Sequence, residues 1–168
     1  GSFNAKVVDI NDITDQFAYG VNKHPLSIRN FLRFARANFA NTPKFIFIIG
    51  KGLNYLEFKS NEGAADIEYQ NLVPTWGHPA SDNLLAAESN NSAVPATAIG
   101  RLSAISANEV GDYLLKVKQY DSLQNSPLNT VESKSWMKNV LQVVGANDRS
   151  IGLQLDNYMN KYKRIIQD

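Results

Sequence analysis

The chain has no cysteine among its 168 residues. Neither a disulfide scaffold nor thiol chemistry can originate in it, and the absence is compatible with any redox compartment. No apolar run approaches the roughly 20 residues needed to span a bilayer, and the N-terminus lacks the basic-then-apolar order of a secretory signal. Charge of one sign is missing too. Lysine and arginine number 17 against 16 aspartate and glutamate, interspersed along the chain. This leaves no electrostatic footprint for nucleic acid or an acidic membrane, and points to a small molecule or a protein as partner. No internal repeat or low-complexity tract is present. What remains is a chain long enough to bury a core without staples, so residues 1–168 are expected to form a single α/β subdomain.

Apolar spacing sets out an alternation of strands and helices. Lys6 to Ile10 carries β-branched residues before the polar Asn11-Asp12 and is expected to be a strand. His24-Pro25 suits a helix start, and Ile28, Phe31, Leu32, Ala35 and Phe39 follow at three-and-four spacing, with Arg29, Arg33 and Arg36 on the opposite face. Asn41-Thr42-Pro43 ends that helix. Phe45 to Ile49 is an unbroken apolar run of the kind a parallel strand covered on both faces requires. A further strand is expected at Ala96 to Gly100. Ser106 and Glu109 then form a capping box opening a helix to about Tyr120, with Val110, Tyr113, Leu114 and Val117 as its buried stripe. Asp121 to Val131 reads as a surface loop. Val140 to Gly145 reads as another buried strand, followed by a last helix from about Ser150 with Leu155, Tyr158, Met159 and Tyr162 on one face. Strands separated by helices imply a doubly wound, mostly parallel sheet with helices on both faces, a three-layer arrangement. In such folds ligands bind beyond the carboxyl ends of the strands, here at Gly50, Gly100 and Gly145.

The long connection 53–93, rich in Asn, Ser, Gly and Pro, is expected to be a cleft-side excursion, because structureless stretches of that length inside compact domains are usually functional. Within it Trp76-Gly77-His78-Pro79-Ala80-Ser81-Asp82 gathers an aromatic, an imidazole, a hydroxyl and a carboxylate at the ligand-binding end. A Ser-His-Asp triad from such close neighbours is disfavoured, since a nucleophile normally sits on a rigid strained turn. Gly50-Lys51-Gly52 lacks the remainder of a phosphate loop, and Tyr55 replaces the third glycine of a dinucleotide fingerprint. Asp82 is read as capping a turn; Asp66, Glu68 and Glu88 lie near it in sequence, but without calcium-loop spacing, so no cofactor is expected and calcium has no support. Arg101, directly after a strand-terminal glycine, can clamp a carboxylate bidentately or pair with a structural acid, and the structural pairing is favoured. Asn90-Asn91-Ser92 matches a glycosylation sequon, a pattern with many chance matches. His24 is read as an ordinary polar residue at a helix start.

Val8-Asp9-Ile10, Phe17-Ala18-Tyr19-Gly20, Ile28-Arg29-Asn30-Phe31-Leu32, Phe45 to Gly50, Val73-Pro74-Thr75, Ser81-Asp82-Asn83, Ile99-Gly100-Arg101-Leu102 and Ala107-Asn108-Glu109-Val110 resemble, in order and spacing, the successive blocks of the gingipain-like peptidase family, clan relatives of the caspases. The resemblance runs from about Lys6 to Gly145. It implies a caspase-like α/β fold of which this chain is the first of two side-by-side subdomains. The family's catalytic histidine and cysteine segments belong to the second, and neither His24 nor His78 matches that histidine. The resemblance therefore implies no catalytic residue and no metal here. Its implied role is to support the catalytic subdomain and line the substrate cleft, with Trp76, His78, Ser81, Asp82 and Arg101 as candidates; a stand-alone binding or scaffold module is the alternative. The implied partners are the catalytic subdomain and a peptide or protein substrate, with no nucleic acid and no membrane span. The family includes secreted bacterial endopeptidases and the sortase of type IX secretion, which implies a secreted, cell-surface or outer-membrane setting. The fragment begins at what resembles the family's second strand, so exposed sheet edges and a homo-oligomer through them are expected.

Overall fold

The structure is a computed structural model describing residues 4–89, 92–127 and 130–167. The chain divides into two compact units, Gly1–Val117 and Lys118–Asp168. The first is a mixed α/β unit built on helices α1 (Ile10–Ala18) and α2 (Leu26–Asn38), strand β1 (Phe45–Ile49), short helices α3 (Tyr55–Ser60), α4 (Ala65–Gln70) and α5 (Asn83–Ala86), strand β2 (Ala98–Leu102), and most of helix α6 (Ala107–Gln124).

The expected strand at Lys6 to Ile10 is instead an irregular lead into α1. Asp9 Oδ1 accepts from the Asn11 amide at 2.8 Å and so caps the helix, while Ile10, Ile13 and Phe17 return at helical spacing to meet the core. Val7, 95% exposed, finds no strand to pair with, and β-branched residues without a partner strand do not hold extended structure. The helix after Pro25 forms as its periodicity dictates, burying Ile28, Leu32 and Ala35. Its arginine face is not solvated. Arg29 is only 5% exposed, because the chain between Trp76 and Ser89 folds back over it.

β1 and β2 pair in parallel, Phe45 opposite Ala98 through to Ile49 opposite Leu102. This is the parallel α/β arrangement expected, reduced among the described residues to two strands and left unclosed. Strand alternation sends Ile46, Ile48 and Ile99 to a core completed by Ile13, Ile28, Leu32, Leu85 and Ala86 from α1, α2 and α5. Phe45, Phe47 and Ile49 point the other way and stay more than half exposed, with Tyr113 of α6 stacked on Phe47 at 6.2 Å. The Ser106–Glu109 cap is present: the serine Oγ accepts from the Glu109 amide, and Glu109 reaches back to the Ile105 amide at 3.0 Å. The stripe Tyr113, Leu114 and Val117 is exposed, not buried, since two strands offer too little apolar surface to cover it.

Between the strands, the 53–93 excursion is partly helical. Gly50 adopts φ +139°, and a Cβ at Gly52 would sit 2.1 Å from the Val73 carbonyl oxygen. Both glycines thus let residues 71–75 cross tightly over the end of β1. Asn54 and Thr75 form an isolated parallel bridge there, and Asn71 Oδ1 accepts from the Leu53 amide at 3.0 Å.

In the second unit, the end of α6 is followed by α7 (Val131–Lys134), a 3-10 turn (Ser135–Lys138) and α8 (Arg149–Gln167). Thr130 and Ser133 form a reciprocal capping box, and Tyr120 meets the Trp136 ring edge-on at 5.5 Å. Helix α6 runs four residues beyond Tyr120, into the expected loop. The expected strand at Val140 to Gly145 is irregular; Leu141 is 88% exposed, and with no neighbouring strand its β-propensity goes unused. The last helix begins where expected, its first amides held by Asp148 Oδ1 at 2.7 and 3.1 Å. Among the described residues no helix is long and apolar enough to cross a membrane. Asn90 and Asn91 of the sequon lie outside the described residues.

Glycine substitutions separate crossing from mere flexibility. Gly52→Ala should cost about 3 kcal/mol in urea unfolding, because the obstacle is backbone and cannot rotate away. Gly111→Ala, in open space on α6, should instead stabilise by about 1 kcal/mol. Equal effects at the two positions would contradict the tight crossing.

Candidate functional site

Arg101 sits on the core-facing side of β2, 11% exposed at its side chain. A guanidinium has five N–H donors in a fixed plane, and each has a protein acceptor. Nε donates to Asp82 Oδ2 at 2.8 Å, and Nη2 to Asp82 Oδ1 at 2.7 Å and the Pro74 carbonyl at 3.3 Å. Nη1 donates to the carbonyls of Gly50 at 2.7 Å and Val73 at 2.6 Å. One side chain thus ties the end of β1, the crossing segment and the start of α5 to β2.

Burial pushes the Asp82 carboxyl up, but the hydrogen bonds and charge of Arg101, with a hydrogen bond from Thr75, outweigh it and leave the pKa below the ordinary value. Asp82 therefore does not cap, as its sequence position suggests. It occupies the N-cap position of α5 without a side-chain capping bond, because the arginine claims both oxygens. The same commitment deprives a Ser81-His78-Asp82 arrangement of the acid that would orient its imidazole. The Gly50-Lys51-Gly52 segment is likewise no phosphate cradle. Its Gly50 and Lys51 amides donate to the carbonyls of Leu102 and Ala104, both at 2.9 Å. Arg101, with every donor used, has none left for a ligand.

The opening lies one turn further along. Trp76 packs against the core and holds the Arg29 guanidinium 5.0 Å from its ring centroid, while Arg29 Nη2 donates to the Ser89 carbonyl at 2.9 Å. The Ser81 amide donates to the Trp76 carbonyl at 2.7 Å and closes the turn that presents Gly77 and His78. Together with His24, Pro25, Asn54, Tyr55, Leu56 and Trp76, they line a cavity of about 220 Å³. The structure thus brings Trp76 and His78 to this cavity, pairs Asp82 with Arg101 behind it, and uses Ser81 between them.

His24 and Tyr55 are among the cavity residues that the sequence reading does not include as site residues. His24 Nδ1 accepts from the Leu26 amide at 3.1 Å, and burial, with the charge of Lys59, lowers its pKa. Because Nδ1 accepts this bond, the ring proton belongs on Nε2. It lies 4.4 Å, centroid to centroid, from the Tyr55 ring. The available signal was position: Tyr55 opens the first helix after the carboxyl end of β1, and His24 sits just before α2. Among the described residues no group of three or more His, Asp or Glu side chains is placed to hold a metal ion.

Asp82→Asn leaves a largely buried cation without its counter-charge and should cost about 3 kcal/mol in urea unfolding near neutral pH. A carboxyl whose folded pKa is depressed contributes stability that is complete above its unfolded pKa and disappears as pH falls through the folded one. The gap between wild type and Asp82→Asn should therefore narrow below the ordinary carboxylate range. A gap that widens with acid would contradict the pairing.

The family model of Peptidase family C25 matches residues 2–168. No curated protein and no solved structure matches the chain. A match over that span, on a parallel α/β unit of the expected class, means that the chain belongs to peptidase family C25, the gingipain-like cysteine peptidases.

Proposed function

We propose that this chain is the non-catalytic first subdomain of a gingipain-like cysteine peptidase or type IX secretion sortase, buttressing the catalytic subdomain and forming one wall of its substrate cleft. One observation carries the reading: a C25 match across residues 2–168 in a chain without a single cysteine. Cysteine peptidases attack with a thiolate, and none can arise here. What the chain does supply is rigidity. The Arg101 network holds the Trp76–Asp82 turn against the parallel strands, at their carboxyl ends, where open α/β sheets bind ligands. A wall fixed in this way orients a peptide without touching the scissile bond, so its contribution is to binding and alignment. The reading carries with it a secreted or cell-surface bacterial setting.

The purified chain should show no turnover of fluorogenic peptides and no response to iodoacetamide. Substrate-like peptides should nevertheless shift the amide and ring resonances of Trp76 and His78 in a saturable titration. Peptide cleavage that disappears on His78→Ala would overturn the non-catalytic assignment. Peptides that leave Trp76 and His78 unperturbed would overturn the cleft-wall role.

A further inference from the structure

We propose that the cavity between His24, Tyr55, Leu56, Trp76 and His78 is a recognition pocket for one uncharged aromatic side chain of a bound peptide. The proposal rests on the cleft-wall reading and names what that wall selects.

Size comes first. At about 220 Å³, the cavity lies below the 300 Å³ or more typical of whole small-molecule sites. It suits a single side chain. His24, Tyr55, Trp76 and His78 line it together with Pro25 and Leu56, and a planar ring seated among aromatic residues gains edge and face contacts beyond simple area burial.

Charge decides between aromatic and ionic occupants. Near neutral pH only the imidazoles among the lining residues can carry a charge, and the His24 Nδ1 lone pair is already used by the Leu26 amide. The nearby lysines each already have an acidic partner. Lys59, 6.0 Å from the Tyr55 ring centroid, bonds both oxygens of Glu62 at 2.9 and 2.7 Å, and Lys23 bonds Glu68 at 2.7 Å. The Asn54 side chain is also occupied, accepting from the Glu57 amide at 2.8 Å. A charged side chain entering here would lose water without gaining a counter-charge. A neutral ring meets complementary walls, and the His24 Nε2–H can donate to a phenol oxygen.

The test is a titration of the chain with three capped pentapeptides, glycine throughout except for a central tyrosine, leucine or arginine, followed by NMR shifts at Tyr55 and Trp76. The tyrosine peptide should bind at least about tenfold tighter than the other two. Leu56→Lys, at a residue 70% exposed and so harmless to folding, should abolish that preference. Equal binding of all three peptides would overturn the pocket while leaving the cleft wall standing. No binding of any peptide would overturn both. Tightest binding of the arginine peptide, or a tyrosine preference that survives Leu56→Lys, would also overturn the pocket.

Discussion

Five N–H groups on one side chain hold the functional end of this unit together. A two-strand sheet offers little apolar surface, and the crossing segment 71–75 passes over it with Asn71, Pro74 and Thr75 buried and Val73 against the core, so its backbone carbonyls are carried into the interior. Arg101 adds directional bonds to that packing: two to the Asp82 carboxylate and three to the carbonyls of Gly50, Val73 and Pro74. Buried carbonyls without donors would each carry a desolvation penalty. Placing one planar cation among them satisfies three at once, and the aspartate balances its charge. The glycines at 50 and 52 follow from this arrangement, since any larger residue would hold the crossing segment away from the arginine.

The cavity depends on the same network indirectly. Its floor residue Trp76 is the next but one after Pro74, and the turn beyond it ends at Asp82, so both ends of the Trp76–Asp82 loop are anchored by Arg101. A second arginine completes the support from beneath: Arg29 packs its guanidinium on the Trp76 ring and bonds the Ser89 carbonyl. Arg101 has no donor left for a ligand, and Arg29 is only 5% exposed. The chemistry offered to a peptide is therefore that of neutral rings, which is why the wall is read as selecting shape and aromaticity over charge.

How much of this was legible in the sequence differs by element. The apolar run Phe45 to Ile49 and the helix after Pro25 were plain because a single physical pattern, continuous or three-and-four spacing, specifies each. The pairing of Arg101 with a structural acid was favoured from its position, but not its partner, since Asp82 lies 19 residues away along an irregular path. Lys6 to Ile10 and Val140 to Gly145 misled because β-branched composition reports a preference that only a neighbouring strand can realise. The cavity was half legible: Trp76 and His78 stood out as a dense cluster of functional groups, whereas His24 and Tyr55 reach it only because the chain crosses over itself at Gly52. Such a crossing leaves no periodic trace.

Because a guanidinium with every donor engaged organises the site, the most direct measurement is the side-chain nitrogen spectrum of Arg101. A group held by five bonds rotates slowly, so its Nε–H and four Nη–H protons should appear as separate, exchange-protected resonances in the folded protein, with hydrogen-bond couplings to the Asp82 carboxylate and to the Gly50 and Val73 carbonyls. A single averaged Nη signal exchanging freely with water would mean that Arg101 is loosely held, and the claim that it organises the site would fail.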